Sequence, residues 1–270
     1  MKVACIQVNA TNDLESNIRT AAGLVCDARA AGAQMAFLPE NVAMMEFGGR
    51  NIVAKAMPEA EHKGLAAFRE LAAETRLWLH CGSLAVLLED GSVANRTYFL
   101  DPRGDVVASY DKIHMFDVDL DGGESYRESS TFHPGRTAVV TGTPWGRLGL
   151  SICYDLRFPH LYRSLAKAGA DFLAVPAAFT RTTGRAHWHV LLRARAIETG
   201  CFVFAPAQCG DHVGGRQTFG HSLIVSPWGV VLADGGEQPG FVMAEIDPAE
   251  VAAARGKIPA LAHDRAFDLP

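Results

Sequence analysis

The chain has 270 residues, 49% of them hydrophobic, which suits one large domain or two small ones with a sizeable core. Its formal net charge of −5, without any polybasic run, argues against a nucleic-acid-binding surface and against attachment to a membrane surface. The longest apolar stretches are broken by Gly, Pro or charged residues well short of the length that spans a membrane.

Strand-like and helix-like segments alternate from the N-terminus onward. The opening run MKVACIQVNA predicts a strand over Lys2–Val8 and lacks the long apolar core of a signal peptide. Leu14–Ala31 follows as a helix, with Asn12 or Asp13 as its N-cap and Gly32 as its stop. The later segments are, in chain order, strand Gln34–Glu40, helix Gly64–Arg76, strand Trp78–Leu88, strands Asn95–Leu100 and Val106–Tyr110 around the turn DPRGD, strand RLGLSIC, helix Pro159–Ala168, strand Phe172–Phe179, helix His187–Thr199, and strands CFVFAPAQ, HSLIVSP and VVLADGG.

This alternation of buried runs with helices predicts a layered α/β fold. The hairpin-like pairs add antiparallel neighbours, so the sheet is expected to be mixed. No repeat, low-complexity tract or linker divides the chain, and we therefore predict one domain over residues 1–270.

Six cysteines are scattered along the chain and form no CxxC pair, which argues against a disulfide framework and against a zinc site. The H-x-H pair of His187 and His189 lacks an evident third ligand, and a structural role for His187 is favoured over metal binding. These observations predict a soluble, reduced, cytoplasmic protein without a metal site.

The stretch LGLSICYDLRFP, from Leu148 to Pro159, places Cys153 at the end of an apolar run and just before a polar turn. Catalytic groups in sheet proteins gather at strand ends, and a thiolate attacks an acyl carbon well when a base or a cation lies nearby. Because free cysteines are among the most buried residues, a packed core cysteine is the alternative for Cys153 considered alone.

Two charged residues at other strand ends supply what such a nucleophile needs. Glu40 follows the run MAFLP, where partial burial would raise its pKa toward the range of a general base. Lys112, in SYDKIHMF, could stabilise an oxyanion or lower the pKa of a thiol. Each of the two, taken alone, is more often a solvated turn residue. Together with Cys153 they supply the parts of amide hydrolysis.

The motifs around these residues resemble the signatures of the nitrilase superfamily of carbon–nitrogen hydrolases. The resemblance runs from Val3 to about Asp268 and is carried by FLPEN, YDKIHMFDVD, YRES, GLSICYDLRFP, AFTRTTGRAHWHVLLRARAIE, APAQCG and GHSLIVSPWG. It implies a four-layer α-β-β-α sandwich. LLRARAIE followed by APAQCG resembles the Nit branch, and within it the deaminated glutathione amidases more than the sister ω-amidases.

The resemblance also implies a Glu-Lys-Cys triad. By motif position, Glu40 is the general base, Lys112 the cation on the oxyanion side and Cys153 the nucleophile. Glu128, in YRES, matches the family residue that helps to hold the lysine and the substrate in place.

Further positions match the family's substrate contacts. The backbone N–H of Tyr154 matches the second oxyanion donor. Substrate-binding positions fall on Arg157, Phe179 and Thr183, where an arginine can grip a carboxylate through paired hydrogen bonds. The chain departs from the pattern at His189, where the AHWE motif usually has Glu, and in its shortened C-terminal tail HDRAFDLP.

The implied activity is hydrolysis of a primary amide of a small carboxylate-bearing substrate to acid and ammonia through a cysteine thioester. Deaminated glutathione is the expected substrate, and neither a metal nor an organic cofactor is needed. The alternatives are an ω-amidase acting on α-ketoglutaramate, an N-carbamoyl hydrolase, or an inactive binding protein, against which the intact triad argues. The family's assembly implies at least a homodimer, to which the helix from His187 and the tail from Arg255 contribute.

Overall fold

The computed structural model describes residues 1–120 and 125–268. Most strands belong to two large sheets. The first sheet contains β1 (Lys2–Gln7), β2 (Met35–Phe37), β3 (Met57–Pro58), β4 (Trp78–His80), β5 (Leu84–Leu87), β6 (Val93–Leu100), β7 (Val106–Asp111) and β18 (Gly240–Glu245). Its strand order is β18-β1-β2-β4-β6-β5-β3, with β7 paired to β6. Because β1, β2 and β4 run parallel while β6 and β7 pair antiparallel, the sheet is mixed as predicted.

The second sheet has the order β10-β11-β12-β13-β16-β17 and contains β10 (Val140–Thr143), β11 (Gly146–Leu150), β12 (Phe172–Ala174), β13 (Phe202–Ala205), β16 (Leu223–Val225) and β17 (Val231–Asp234). Two short pairs lie outside the sheets, β8 (Asp117–Asp119) with β9 (Ser125–Arg127) and β14 (Cys209–Asp211) with β15 (Gln217–Phe219). The helices are α1 (Leu14–Ala30), α2 (Gly49–Lys55), α3 (Lys63–Thr75), α4 (Pro159–Lys167), α5 (Arg181–Thr199) and α6 (Ala249–Lys257).

The alternation of side chains along β1 explains the layers. Cys5 belongs to the core between the two sheets, whereas its neighbour Ile6 packs into the separate core beneath α1 and α3. Between the sheets, the rings of Phe37 and Phe204 lie 4.9 Å apart. On the far side, α5 buries Trp188 completely against the second sheet. The fold is therefore the predicted α-β-β-α sandwich.

Several predicted elements have different limits in the structure, and two of these differences have a clear local cause. Trp78–Leu88 is not one strand but two, β4 and β5, because the chain turns at Gly82. That residue has φ +64°, and a Cβ there would lie 1.9 Å from the carbonyl oxygen of Pro39, so the turn requires glycine. Helix α5 begins at Arg181 rather than His187, since the Thr180 side chain caps it by accepting a hydrogen bond from the Thr183 N–H.

The C-terminal segment, which is expected to contribute to a homodimer, makes contacts within its own chain. Arg255 lies inside α6, and its guanidinium donates to the carbonyl oxygens of Thr199 and Ala170 at 3.1 and 2.6 Å. Beyond the helix, Asp264 forms ion pairs with Arg163 and Lys167 of α4. The chain after α6 therefore contacts its own subunit at least as far as Asp264.

The ends of several strands meet at one edge of the sandwich. Glu40 follows β2, Lys112 follows β7, and Cys153 follows β11 in the opposite sheet. This edge holds the site described below. In the described ranges, no helix has the length and apolar character needed to cross a membrane.

Candidate active site

Cys153 opens a short 3-10 turn, Cys153–Arg157, directly behind β11. Its φ of +48° lies in the left-handed region, and its N–H donates to the carbonyl oxygen of Pro176 at 2.9 Å. The buried carboxylate of Asp155 holds the turn, because it accepts hydrogen bonds from the Ile152 N–H at 2.8 Å and from the Tyr110 hydroxyl at 2.7 Å. Cys153 is thus fixed in a backbone conformation that a cysteine seldom adopts.

The other predicted catalytic side chains surround this thiol. Lys112 Nζ lies 2.8 Å from Oε1 of Glu40 and 2.9 Å from each carboxylate oxygen of Glu128. The second oxygen of Glu40 accepts the Ala178 N–H at 2.8 Å, and the Cys153 thiol hydrogen-bonds to the same carboxylate. The structure therefore brings all four predicted residues together.

The charges in this cluster determine which of its groups are protonated. Burial raises the pKa of Glu40, but the Lys112 ammonium and the charge of Arg216 outweigh burial and hold this pKa below its ordinary value. Burial and the negative charge of Glu40 raise the pKa of Cys153, whereas Lys112 lowers it without reversing the rise. Burial lowers the pKa of Lys112, and Glu128 and Glu40 more than reverse that effect. The resting site is a carboxylate, an ammonium and a neutral thiol.

The expectation that burial would raise the pKa of Glu40 is therefore wrong for the resting protein. Burial does act in that direction, but a fully buried ammonium at 2.8 Å stabilises the carboxylate more than burial destabilises it.

A cavity of about 550 Å³ opens above the thiol. Its walls include the four predicted catalytic residues, and Tyr154, Phe179 and Thr183 line it as well. The remainder of the wall mixes polar residues with apolar and aromatic side chains, the latter including Met44, Met45, Phe47, Ile52, Phe116, Tyr126 and Phe132. A buried thiol, a buried ion-pair cluster and a cavity of this size form a site for covalent chemistry on a small organic molecule.

Comparison with known proteins identifies the family. Residues 2–256 match the carbon-nitrogen hydrolase family. A deaminated glutathione amidase from Synechocystis sp. is 42% identical over 265 residues, covering 96% of each chain. The chain belongs to the carbon-nitrogen hydrolase family.

Solved structures of other proteins have the same fold as this carbon-nitrogen hydrolase. Nit3 from Saccharomyces cerevisiae, a member of branch 10 of the nitrilase superfamily, has a TM-score of 0.87 at 26% identity, covering 96% of this chain and 94% of its own. An amidase from Nesterenkonia sp. AN1 has a TM-score of 0.81 at 26% identity, covering 96% of this chain and 98% of its own. In that structure acrylamide has added to the active-site cysteine.

Arg157, the remaining predicted substrate residue of this carbon-nitrogen hydrolase, packs against two side chains that line the cavity. Of the described residues, those lining the cavity do not include Arg157. Its guanidinium packs over the rings of Phe179 and Tyr154 and lies 3.2 Å from Nδ1 of His187. Arg157 therefore lies beside two cavity-lining side chains, and it does not pair with Asp155, whose oxygens accept hydrogen bonds from other donors.

Two residues of the site were missed by the sequence analysis. Asn95 is buried in β6, and its Nδ2 donates to Glu40 Oε1 at 3.0 Å and to Glu128 Oε1 at 3.3 Å. Arg216 lines the cavity and donates to the carbonyl oxygen of Ala178 at 2.7 Å. No local pattern distinguished Asn95, because Arg96 and Thr97 follow it in the same strand, and an arginine after two glycines was a weak signal for Arg216.

His189 has partners that its position in the sequence did not reveal. Nε2 of His189 and Nδ1 of His221 lie 3.0 and 2.8 Å from separate oxygens of Asp234. His187 is not part of this cluster and contacts Arg157 instead. The ligating atoms of the three residues lie within 4.8 Å of one another, which would also suit an ion. The hydrogen bonds to Asp234 already account for the arrangement.

Proposed function

We propose that this carbon-nitrogen hydrolase is an amidase that acts on an amide of a small carboxylate-bearing acid through a thioester on Cys153. The observation that carries the proposal is a thiol hydrogen-bonded to a buried carboxylate that also pairs with a buried ammonium. The similarity to relatives named deaminated glutathione amidase supports that compound as the substrate.

Acylation uses the groups already in contact. Glu40 takes the thiol proton as the Cys153 sulfur bonds to the amide carbon, and the carbonyl π electrons move to oxygen. Lys112 and the Tyr154 N–H stabilise this oxyanion, and one such donor is typically worth about 3–4 kcal/mol. The C–N bond then breaks, Glu40 returns its proton to the departing nitrogen, and a thioester remains.

Deacylation repeats the sequence with water as the nucleophile. Glu40 removes a proton from water as the water oxygen bonds to the thioester carbon. The C–S bond then breaks. The proton returns to the thiolate and the acid is released. Glu128 acts by position, because its two contacts with Nζ fix the direction of the Lys112 side chain.

The leaving group distinguishes the candidate substrates. In deaminated glutathione the amide nitrogen belongs to a cysteinylglycine dipeptide, so its hydrolysis releases a dipeptide, and the expectation of a primary amide and ammonia does not apply to this substrate. A primary amide such as α-ketoglutaramate releases ammonia. The assay must therefore measure the acid that both have in common.

The test is mass spectrometry of purified protein with deaminated glutathione, α-ketoglutaramate and an N-carbamoyl amino acid. Acid formed fastest from deaminated glutathione, and from no substrate with Cys153→Ala, is the expected result. A protein that hydrolyses only the carbamoyl compound, or none of the three, would refute the proposal.

The proposal includes a homodimer built on α5. Five exposed apolar side chains share this region, namely Val190, Ile197, Trp228, Val230 and Leu232. The turn between β16 and β17 packs on the helix, since Arg193 Nε donates to the Gly229 carbonyl oxygen at 2.8 Å. Exposed apolar patches of this kind are typical of protein–protein interfaces.

The cellular setting and the domain organisation are parts of the same proposal. The mechanism needs a reduced Cys153, and all six cysteines are free, which supports a cytoplasmic location. One catalytic domain over residues 1–270 is supported by the core between the sheets, to which both sheets contribute.

A further inference from the structure

Arg216 is a cation in the cavity that forms no ion pair with an acid of the described residues, although its charge stabilises the Glu40 carboxylate. Its Nη2 donates to the carbonyl oxygen of Ala178, and its guanidinium carbon lies 5.4 Å from the centre of the Tyr126 ring. Its Nε is buried without a hydrogen-bond partner, and no carboxylate in the described part of the chain pairs with it. Arg127, which also lines the cavity, is instead held by both oxygens of Asp119.

A half-buried guanidinium with an unused N–H is costly unless something binds there. An unpaired buried donor costs about 1–3 kcal/mol. The planar fork of arginine fits a carboxylate through two parallel hydrogen bonds. The cavity thus holds a ready site for an anionic group of the substrate.

The hydrogen bonds of Ala178 show which part of the substrate that group belongs to. Its N–H donates to Glu40 at 2.8 Å, and its carbonyl oxygen accepts from Arg216 at 2.7 Å. Glu40 protonates the departing nitrogen in the proposed mechanism, so the leaving amine lies on the side of that carboxylate. Arg157 lies with Tyr154 and His187 and is not joined to Glu40 in this way.

The loop that carries Arg216 also limits the cavity. Gly214 has φ +75°, and a Cβ there would lie 2.2 Å from Cγ of Phe47. The loop can therefore approach the Phe47 wall only with glycine at this position. A cavity of about 550 Å³ lies within the range of roughly 300–1,000 Å³ that holds drug-sized ligands.

We propose that Arg216 binds a carboxylate on the amine half of the substrate, so that the enzyme selects amides whose leaving group is itself an acid. This inference rests on the proposed amidase function and narrows it. The preferred class is an amide with a carboxylate on each half, such as a keto acid joined to a dipeptide. A primary amide leaves the Arg216 site empty.

The experiment compares deaminated glutathione with its C-terminal glycinamide, which differs only in the charge of the leaving dipeptide. The wild type should prefer the acid in kcat/KM, and Arg216→Gln should reduce kcat/KM for the acid by roughly 10- to 100-fold relative to the glycinamide. The ratio of the two substrates is the readout, because the charge of Arg216 also acts on Glu40 and its loss would slow both reactions. Arg216→Lys keeps the charge but lacks the planar guanidinium, so its ratio of kcat/KM for the two substrates should lie between those of the wild type and Arg216→Gln.

Arg127→Gln is the matched control, since it removes the same charge from the same cavity at a position already paired with Asp119. It should leave the ratio of acid to glycinamide unchanged. The inference would be overturned if Arg216→Gln left the ratio of kcat/KM for the acid to that for the glycinamide unchanged. It would also be overturned if Arg127→Gln changed this ratio by as much as Arg216→Gln does.

Binding to Cys153→Ala separates this inference from the proposed function. Calorimetry should show that the variant binds the acid more tightly than the glycinamide, and that adding Arg216→Gln removes the preference. If the wild type hydrolysed none of the amides, the proposed function would fail, yet this binding difference would still decide the role of Arg216.

Discussion

Lys112 Nζ lies 2.8 Å from Glu40 Oε1, and the two side chains are only 2% and 3% exposed. Removing one member of such a pair leaves an uncompensated charge inside the protein, which is typically worth about 3–5 kcal/mol. The ion pair that orients the catalytic groups is therefore also a condition for the stability of the surrounding fold.

Lys112→Met should abolish hydrolysis and lower the free energy of unfolding by about 3–5 kcal/mol, because Glu40 and Glu128 would then face each other unpaired. Denaturant unfolding and initial rates measure the two effects. Adding Glu128→Gln should restore part of the stability but none of the activity. Recovery of activity in the double variant would show that Lys112 takes no part in the chemical step.

The activity should persist at acidic pH. Glu40 works as a carboxylate, and its pKa is held below the ordinary value of 4.5, so the active form is lost only as pH falls through that lower value. The stability that Glu40 contributes has the same sign, being fully present above pH 4.5 and lost below it. The pKa of Lys112 is raised, so the stability that Lys112 contributes is fully present at every pH below its ordinary pKa of 10.5. A profile of kcat/KM with an acid limb between pH 6 and 7 (roughly the range of a histidine) would contradict this assignment.

Cys153→Ala should eliminate turnover while leaving the thermal unfolding transition cooperative, since the thiol carries the acyl group. Intact-mass analysis with a slow substrate should detect an acyl adduct on the wild type and none on the variant. Cys26→Ala is the matched control, because Cys26 is exposed and has no catalytic neighbour. Residual turnover by Cys153→Ala would assign the nucleophile elsewhere.

Arg157→Ala should weaken kcat/KM for an amide with a carboxylate on its acyl half by about 2 kcal/mol, the usual scale for a hydrogen bond to a charged group. A neutral amide of equal length should lose far less. Because Arg157 packs against Phe179 and Tyr154, equal losses on both substrates would indicate that it supports these rings and does not contact the substrate.

Ile197→Asp should dissociate the proposed dimer, because it introduces a charge into the apolar region on α5. Light scattering should then report half the mass of the wild-type particle. Glu74→Ala, on the separate helix α3, is the control. A wild type that is already monomeric at micromolar concentration would refute the proposed assembly.

The sequence pattern predicted the alternating elements and a mixed sheet, whereas the four-layer sandwich followed from the resemblance to the nitrilase superfamily. Cys153, Glu40 and Lys112 could be found because each lies at the end of a predicted strand. Their roles as base, cation and nucleophile remain a prediction that the geometry supports.

Other features depend on contacts that no local pattern encodes. Asn95 acts only because β6 brings it between Glu40 and Glu128. The lowered pKa of Glu40 depends on the distance to Lys112, which periodicity cannot give. Strand β18 pairs with β1 although the two lie at opposite ends of the chain, and its sequence alone did not reveal it.

The left-handed backbone of Cys153 has a consequence for how this protein can change over generations. An L-residue in that region costs roughly 1–2 kcal/mol, which glycine avoids. Cys153→Gly should therefore be more stable than Cys153→Ala, because both lose the thiol but only glycine relieves the strain. A lineage that no longer needed the reaction could drift toward greater robustness by a single replacement at its former nucleophile, whereas a lineage that kept the reaction would retain the strain.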